Sequence, residues 1–470
     1  MFHPRTCKTT VSLAWLILIF GLAYAGYSMP TVSASQTNDT PGEQPLLGKR
    51  ILTFVSVIRV NQIEVTRDRN AGEDEGSKHT VEEVRSLRDN FQKAFPGGRM
   101  TWAFSWLALQ DQRENYQAIR RQVVEYHRQF GDEITFIPGA YFAPMYNSRE
   151  QVNQDLHDAL ELVSKMVGGG YRPQCVIAGF LAADNQRYLA EHENIHVCQG
   201  TIWSQYGIDN GDGDGSISYP YYPSREHYCK PAQGAADFID CVCLDGWTCD
   251  FLTARRPGFA GGFNSRQGLG PIETLEDLGP TTGLQEQVFT TAIHFDDGFK
   301  RNGFAWATVI WETVLGTNTF QYLPAYGGEV RRRWPDVKCL TEGEFGEAFR
   351  SQFKDNHKLD YRFVERGSGI HGSETNLEIR WFMNRDFRLA LLHDWTAAGD
   401  RDKVIDFTRY DLKATEPKDF GRNWSLMNRI NQKGTRPQDK PVFLTELPDD
   451  DRAFIRRRLP DLFEAAGAKN

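Results

Sequence analysis

Four acidic residues stand at or just beyond the end of apolar stretches: Glu64, Asp209, Asp245 and Glu312. Glu312 closes FAWATVIWE, a run otherwise apolar and aromatic but for Thr308. A carboxylate in that position is either a catalytic group with a raised pKa or the partner of an arginine holding the rim of the fold. Asp245 ends IDCVCLD and is followed by Gly246 and Trp247, a small residue and a flat ring that suit the floor of a sugar site. An Asx-turn at a strand end accounts for the same Asp-Gly pair equally well. Two carboxylates across a cleft are what glycosidic cleavage needs: one protonates the leaving oxygen, and the other attacks the anomeric carbon or activates water. Glu312 and Asp245 are the pair the sequence puts forward, with Asp209 as the substitute.

Aromatic residues cluster beside these acids. Trp203, Tyr206, Trp247 and Trp311 adjoin the same strand ends, and Tyr219, Tyr221, Tyr222 and His227 follow in one loop. They are the rings expected to contact substrate, although core packing is the commoner fate of a tryptophan. Within that loop, Asn210-x-Asp212-x-Asp214-Gly215-x-Ile217 has the oxygen-ligand spacing of the first part of a calcium loop. The twelfth position is Tyr221 rather than the glutamate that closes an EF-hand, and the flanks are a strand and a proline-rich loop. An EF-hand is thereby rejected. A shallow calcium site on Asn210, Asp212 and Asp214, a sugar-contacting acidic loop and a plain flexible turn remain open, and calcium is the one cofactor suggested.

The elements that must position these groups alternate between apolar runs and helical periodicity. Strands are expected at Ile51 to Val60, Met100 to Trp106, Glu133 to Tyr141, Cys175 to Leu181, His196 to Trp203, Phe238 to Asp245 and Phe304 to Glu312. Helices fall between them, including one opened by the capping box Thr80-Val81-Glu82-Glu83. This rhythm predicts an α/β fold, a (β/α) barrel of about seven parallel strands over residues 49–320, with reactive groups at the C-terminal strand ends. An open doubly wound sheet is disfavoured because no G-x-G-x-x-G follows the first strand. From residue 321 to 470 the pattern changes to a smaller, mainly antiparallel α+β domain, with a hairpin within Leu377 to Asp394 and an Asp/Arg-rich helix near the end. His294-Phe295-Asp296-Asp297-Gly298 lies in helical periodicity and reads as a solvated helix face.

Composition narrows the function further. With 54 Lys plus Arg against 62 Asp plus Glu in 470 residues, the net charge of −8 offers no basic surface for nucleic acid. Residues 1–34 combine Arg5 and Lys8 with an apolar run and an A-x-A-like site, the pattern of a cleaved secretory signal, and residues 35–48 form a polar linker. The mature chain is therefore expected to be secreted or periplasmic and to lack a transmembrane span. Seven cysteines remain in it, an odd number read as buried thiols or one or two disulfides. No G-x-S-x-G, H-E-x-x-H or Walker loop occurs.

At IDNGDGDGSISYPYYPSREH (208–227) and DGWTCDFL (245–252) the chain resembles a secreted two-domain family of unknown function, known mostly from Bacteroidetes. The resemblance spans nearly the whole mature chain. It implies a barrel similar to the seven-stranded glycoside hydrolase and polysaccharide deacetylase superfamily, followed by a small second domain, but brings no established reaction or residue roles. Deacetylases carry an Asp-Asp pair on their first strand and hold a metal with an aspartate and two histidines, whereas Ile51 to Val60 contains neither residue type. The expected function is a carbohydrate-active hydrolase, a glycosidase acting on an oligo- or polysaccharide. The alternatives are a non-catalytic glycan-binding protein on a degenerate barrel and a deacetylase-like enzyme.

Overall fold

Each of the seven apolar runs forms a strand, and within each of two sheets these strands pair in parallel. The computed structural model describes residues 46–64, 70–138, 142–201, 215–255, 267–314, 316–370, 372–398, 402–418, 424–426 and 441–463. The signal at 1–34, most of the linker and the calcium-spaced residues Asn210, Asp212 and Asp214 lie outside them, as do Trp203, Tyr206 and Asp209.

The chain opens with β1 (Arg50–Ile58), a hairpin of β2 (Asn61–Glu64) and β3 (Asn70–Asp74), then α1 (Val81–Ala94), β4 (Thr101–Ser105), α2 (Trp106–Gln110) and α3 (Glu114–Phe130). Next come β5 (Glu133–Ile137), α4 (Arg149–Val167), β6 (Cys175–Ile177), α5 (Ala183–His192), β7 (Val197–Thr201) and β8 (Val242–Asp245). A short α6 (Phe251–Arg255) precedes α7 (Asp277–Ala292) and α8 (Phe299–Asn302), which are joined by a wide π-type segment, Ile293–Gly298. β9 (Ala305–Glu312), α9 (Leu323–Arg333), β10 (Lys338–Leu340) and α10 (Glu342–Gln352) complete the α/β part. Thr80 caps α1 with the expected capping box, and Thr341 caps α10 in the same way.

The parallel strands form two hydrogen-bonded sheets rather than one continuous ladder. One contains β10, β1, β4, β5 and β9, with β9 along one edge of β1; the other contains β6, β7 and β8. Side chains tie the two together. Glu133 on β5 accepts from Gln174 N and Cys175 N at 2.8 and 3.1 Å, and Thr248, just past β8, accepts at its hydroxyl from Thr308 N on β9 at 2.9 Å. Period-two alternation sorts the strand residues into two cores. Leu52, Phe54 and Ile58 pack with α1, α3 and α4, whereas Ile51, Val55 and Val57 share a core with Phe345 and Phe349 of α10 and with the C-terminal sheet.

β10 returns to the first sheet by pairing with β1, and the C-terminal sheet begins at residue 360. That sheet is antiparallel and meandering, in the order β11 (Asp360–Arg366), β12 (Leu377–Asn384), β13 (Phe387–Asp394), β14 (Asp402–Arg409) and β15 (Val442–Phe443). The expected hairpin turns at residues 385–386, where Asn384 accepts at its side-chain oxygen from Asp386 N and Phe387 N. Helix Asp449–Arg458 covers this sheet through Phe454 and Ile455. The 293–298 segment differs from expectation. The wider π-type winding turns His294 and Phe295 into the core, while Asp297 accepts from Val364 N on β11 at 3.0 Å. It is a packing element, not a solvated face.

Candidate functional site

The strand-end acids can now be placed, starting with Glu312. Along β9, Trp306 and Ile310 belong to the core shared with α10, and Ala305, Ala307, Val309 and Trp311 to the helix-covered core. Glu312 therefore leaves the strand on the enclosed side and Trp311 on the opposite one. Pairing of Val57 with Glu312 brings the end of β1 alongside, and Arg59 lies two residues further on. The Arg59 guanidinium makes two bonds to buried Glu75, at 2.6 and 2.9 Å, and reaches Glu312 at 3.3 Å. The Glu312 side chain is 24% exposed, against 6% for Arg59. Tyr116 donates to the Arg59 carbonyl at 2.7 Å, and burial raises the pKa of its phenol. His79 lies buried behind this group, and burial, followed by the charges of Arg59 and Arg113, lowers its pKa to about 3, keeping it neutral. The result is a positively charged anchor that orients one partly accessible carboxylate.

Asp245 ends β8 opposite Thr201 and is 2% exposed. Its Oδ1 accepts from Trp247 N at 3.3 Å, an Asx-turn. Gly246 packs closely there: a Cβ would sit 2.7 Å from the Gln199 side chain and 2.8 Å from that of Ile310, so both would have to shift. Glu64 caps the turn between the first strands, accepting from Ser105 Oγ at 2.6 Å, Val60 N at 2.8 Å and Leu107 N at 3.0 Å. Burial pushes its pKa up, and these donors oppose the rise.

Several aromatic residues expected at a sugar site are instead structural. Trp311, 1% exposed, packs on Phe54 and Phe320 because strand alternation turns it away from Glu312. Trp247 is covered by Gly270, where a Cβ would lie 1.9 Å from the indole. Tyr219, Tyr221 and Tyr222 are buried and donate to the carbonyls of Trp306, Tyr228 and Phe353 at 2.8, 2.7 and 2.6 Å. His227 is buried and stacks on Tyr228. The segment from Gly215 to Pro231 threads between the parallel strands and the C-terminal sheet, with a bridge from Tyr221 to Cys243 and a bond from Arg388 to Ser216 O at 2.7 Å. Its rings fill that seam and leave no face for a ligand.

The sequence reading missed Arg59, Glu75 and Glu342. Glu342 is the first residue of α10, and its Oε1 accepts from Thr53 Oγ1 on β1 at 2.8 Å and from Thr308 Oγ1 on β9 at 2.6 Å. The main chain there is held by Thr101 and Glu133, at 2.9 and 3.0 Å. Burial raises the Glu342 pKa to about 7, with Glu133 and Asp245 adding to the rise and the two threonines opposing it. A group able to hold or release a proton near neutrality thus sits within the electrostatic reach of Asp245.

The seven described cysteines are all buried and outside any disulfide, with Cys241 and Cys243 in different cores. Among the described residues, no group of three His, Cys, Asp or Glu side chains is placed to hold a metal ion, and no helix is long and apolar enough to cross a membrane.

These features define an α/β protein with parallel sheets, a strand-end carboxylate site and an appended antiparallel sheet. Residues 44–383 match the DUF3863 family, a domain of unknown function with a solved structure, and residues 388–462 match DUF3864, described in the same terms. The chain belongs to the DUF3863 family, and the two matches together give the two-domain organisation of unknown function. A crystal structure from Parabacteroides distasonis, described as that of a proposed glycoside hydrolase/deacetylase, is 50% identical with a TM-score of 0.84, and the match covers 89% of this chain and 99% of that one. Fainter likenesses reach a GH57-type branching enzyme from Pyrococcus horikoshii (10% identity, TM-score 0.39, 63% of this chain and 70% of that one) and a peptidoglycan deacetylase from Bacillus subtilis (9%, 0.29, 66% and 95%). At those scores they carry no argument. No curated protein matches the chain significantly.

Proposed function

We propose that this protein is a secreted carbohydrate-active hydrolase, a glycosidase whose reaction takes place at the C-terminal ends of the parallel strands. The two parallel sheets, eight strands with β10 included, are read as the wall of an incomplete barrel, with Glu312 at its mouth. The observation that carries the proposal is Glu312 itself, a partly exposed carboxylate held by Arg59, whose own position is set by buried Glu75. A carboxylate so fixed suits attack on an anomeric carbon or activation of water, and Asp245 or Asp209 supplies the second carboxyl that the reaction needs. The description of the Parabacteroides distasonis relative supports the same class of substrate. With the Tyr219 to Tyr222 rings spent on packing, Trp203 and Tyr206 are the remaining proposed sugar contacts, and the 210–214 loop the proposed calcium site.

The test is a screen of the purified mature protein against aryl-glycosides and polysaccharides, with and without chelator, in wild type and Glu312→Gln. Turnover lost in the variant, at unchanged thermal unfolding, supports the assignment; full activity in the variant overturns it. The chelator arm identifies the deacetylase-like alternative, read as acetate release that stops with metal removal. A second reading, a non-catalytic glycan binder, is favoured by the same Arg59 to Glu312 contact, since a rim ion pair needs no reaction to explain it. In that case the protein binds glycan without turnover, and Glu312→Gln lowers stability instead.

A further inference from the structure

We propose that the outer face of the C-terminal sheet binds a carboxylated polysaccharide, a polyuronate, at a site separate from the strand-end carboxylates. On β11 and β12 the odd-numbered residues Tyr361, Phe363, Ile379 and Trp381 turn into the core, so the even-numbered ones face outward. Antiparallel pairing sets Arg362 opposite Phe382, Val364 opposite Arg380 and Arg366 opposite Glu378. Arg301 of α8 completes the lining of a groove of about 300 Å³ on this face. Four guanidinium groups thus converge in one groove on an acidic protein of net charge −8.

Each arginine is anchored by a carboxylate. Asp297 holds Arg301 at 2.6 Å, Asp360 holds Arg362 at 3.0 Å, Glu378 holds Arg366 at 2.8 Å, and Asp402 pairs with Arg380. Of these four acids only Glu378 lines the groove, and its side chain is 10% exposed, so the lining sets four cations beside apolar Phe363, Val364, Trp381 and Phe382. Arg301, Arg362 and Arg366 each meet their anchor through one of three guanidinium nitrogens, Arg380 also lies 3.8 Å from Glu378, and the planar fork matches a carboxylate.

Flat apolar surface accompanies the charge. Arg362 lies over the Phe382 ring at 5.7 Å, and Arg366 over Trp395 at 4.9 Å. Trp395 is 44% exposed, one of two large hydrophobic residues so exposed among the described residues. An indole face beside fixed guanidinium groups is complementary to a sugar ring that carries a carboxylate, the ring on Trp395 and the acid on arginine. A neutral glucan offers no acid to the remaining guanidinium nitrogens, and a phosphate polymer would make no use of the ring.

The experiment is isothermal titration of polygalacturonate into the full mature chain at low ionic strength. It is run in the Glu312→Gln background so that turnover plays no part. The variants are Arg362→Gln/Arg366→Gln and Trp395→Ala. The control is Arg121→Gln/Arg128→Gln, which removes the same charge from the exposed face of α3. The expected result is binding that weakens by roughly tenfold or more in the groove double variant, by a smaller factor in Trp395→Ala, and not at all in the control. The proposal is overturned by absence of binding, by equal loss in the control, or by equal binding of dextran or polyphosphate. Because no arm reads activity, its failure is separate from failure of the hydrolase assignment.

Discussion

Glu342 offers a test of the electrostatics inside the fold. Its carboxyl is enclosed by β1, β9 and α10, and its pKa rises from the ordinary 4.5 to about 7. Below pH 4.5 the group is protonated in both the folded and unfolded chains and contributes nothing to the pH dependence. Between 4.5 and about 7 the unfolded chain releases the proton while the folded chain keeps it, so stability falls across that window and levels off above it. That interval, at about 1.4 kcal/mol per pH unit, amounts to about 3 kcal/mol. In Glu342→Gln the ionisable group is gone and this component vanishes. Urea unfolding followed by far-ultraviolet circular dichroism from pH 4.5 to 8 should therefore show the variant gaining on wild type by about 3 kcal/mol as pH rises. Asp245→Asn should narrow the window, because Asp245 is one of the charges that raise the Glu342 pKa. A difference between wild type and Glu342→Gln that stays constant with pH would refute the reasoning.

Two further tests concern groups at the junction with the C-terminal sheet. Arg388 and Asp406 are a buried ion pair with both side chains fully enclosed, so Arg388→Met strands a buried carboxylate and should cost about 3–5 kcal/mol in denaturant unfolding, with partial recovery in Arg388→Met/Asp406→Leu. Glu286 meets Asp250 and Glu365 in a buried carboxyl cluster, and burial, then the Asp250 charge, raises its pKa to about 9. The unfolded carboxyl ionises from about 4.5 while the folded one keeps its proton to about 9, so stability falls across that window and levels off above it, and Glu286→Gln should flatten the fall in thermal stability between pH 5 and 9. An equally steep fall in the variant would show that the cluster does not hold that proton.

Much of the chain was legible because local chemistry decides it. The seven parallel strands, the capping boxes at Thr80 and Thr341 and the hairpin at Asn384 follow from apolar period, N-cap spacing and turn residues, all confined to short windows. Closure was not readable, because ladder pairing between β5 and β6 or between β8 and β9 depends on how far the strands run, and those ends carry no sequence mark. The aromatic cluster was misread for a related reason. Tyr219 meets Trp306 and His294, and Tyr222 meets Phe353, across sequence separations of 87, 75 and 131 residues. Tyrosines beside glycines and aspartates look like a solvent loop until the second sheet is present to cover them.

Trp311 is the instructive exception, since its orientation was available from strand alternation alone. Two adjacent residues on a strand cannot both face one cleft, so choosing Glu312 for the mouth already consigned Trp311 to the helix-covered side. What alternation could not provide is the company Glu312 keeps. Arg59 and Glu75 are joined only because β1 pairs with β9 and the β2–β3 hairpin folds back over the strand end. That arrangement gives Glu312 its character: the arginine is committed to Glu75 by two bonds and to Glu312 by one longer one. Glu75 therefore holds the guanidinium closely, and Glu312, 24% exposed against 6% for Arg59, stands on the outer side of the group.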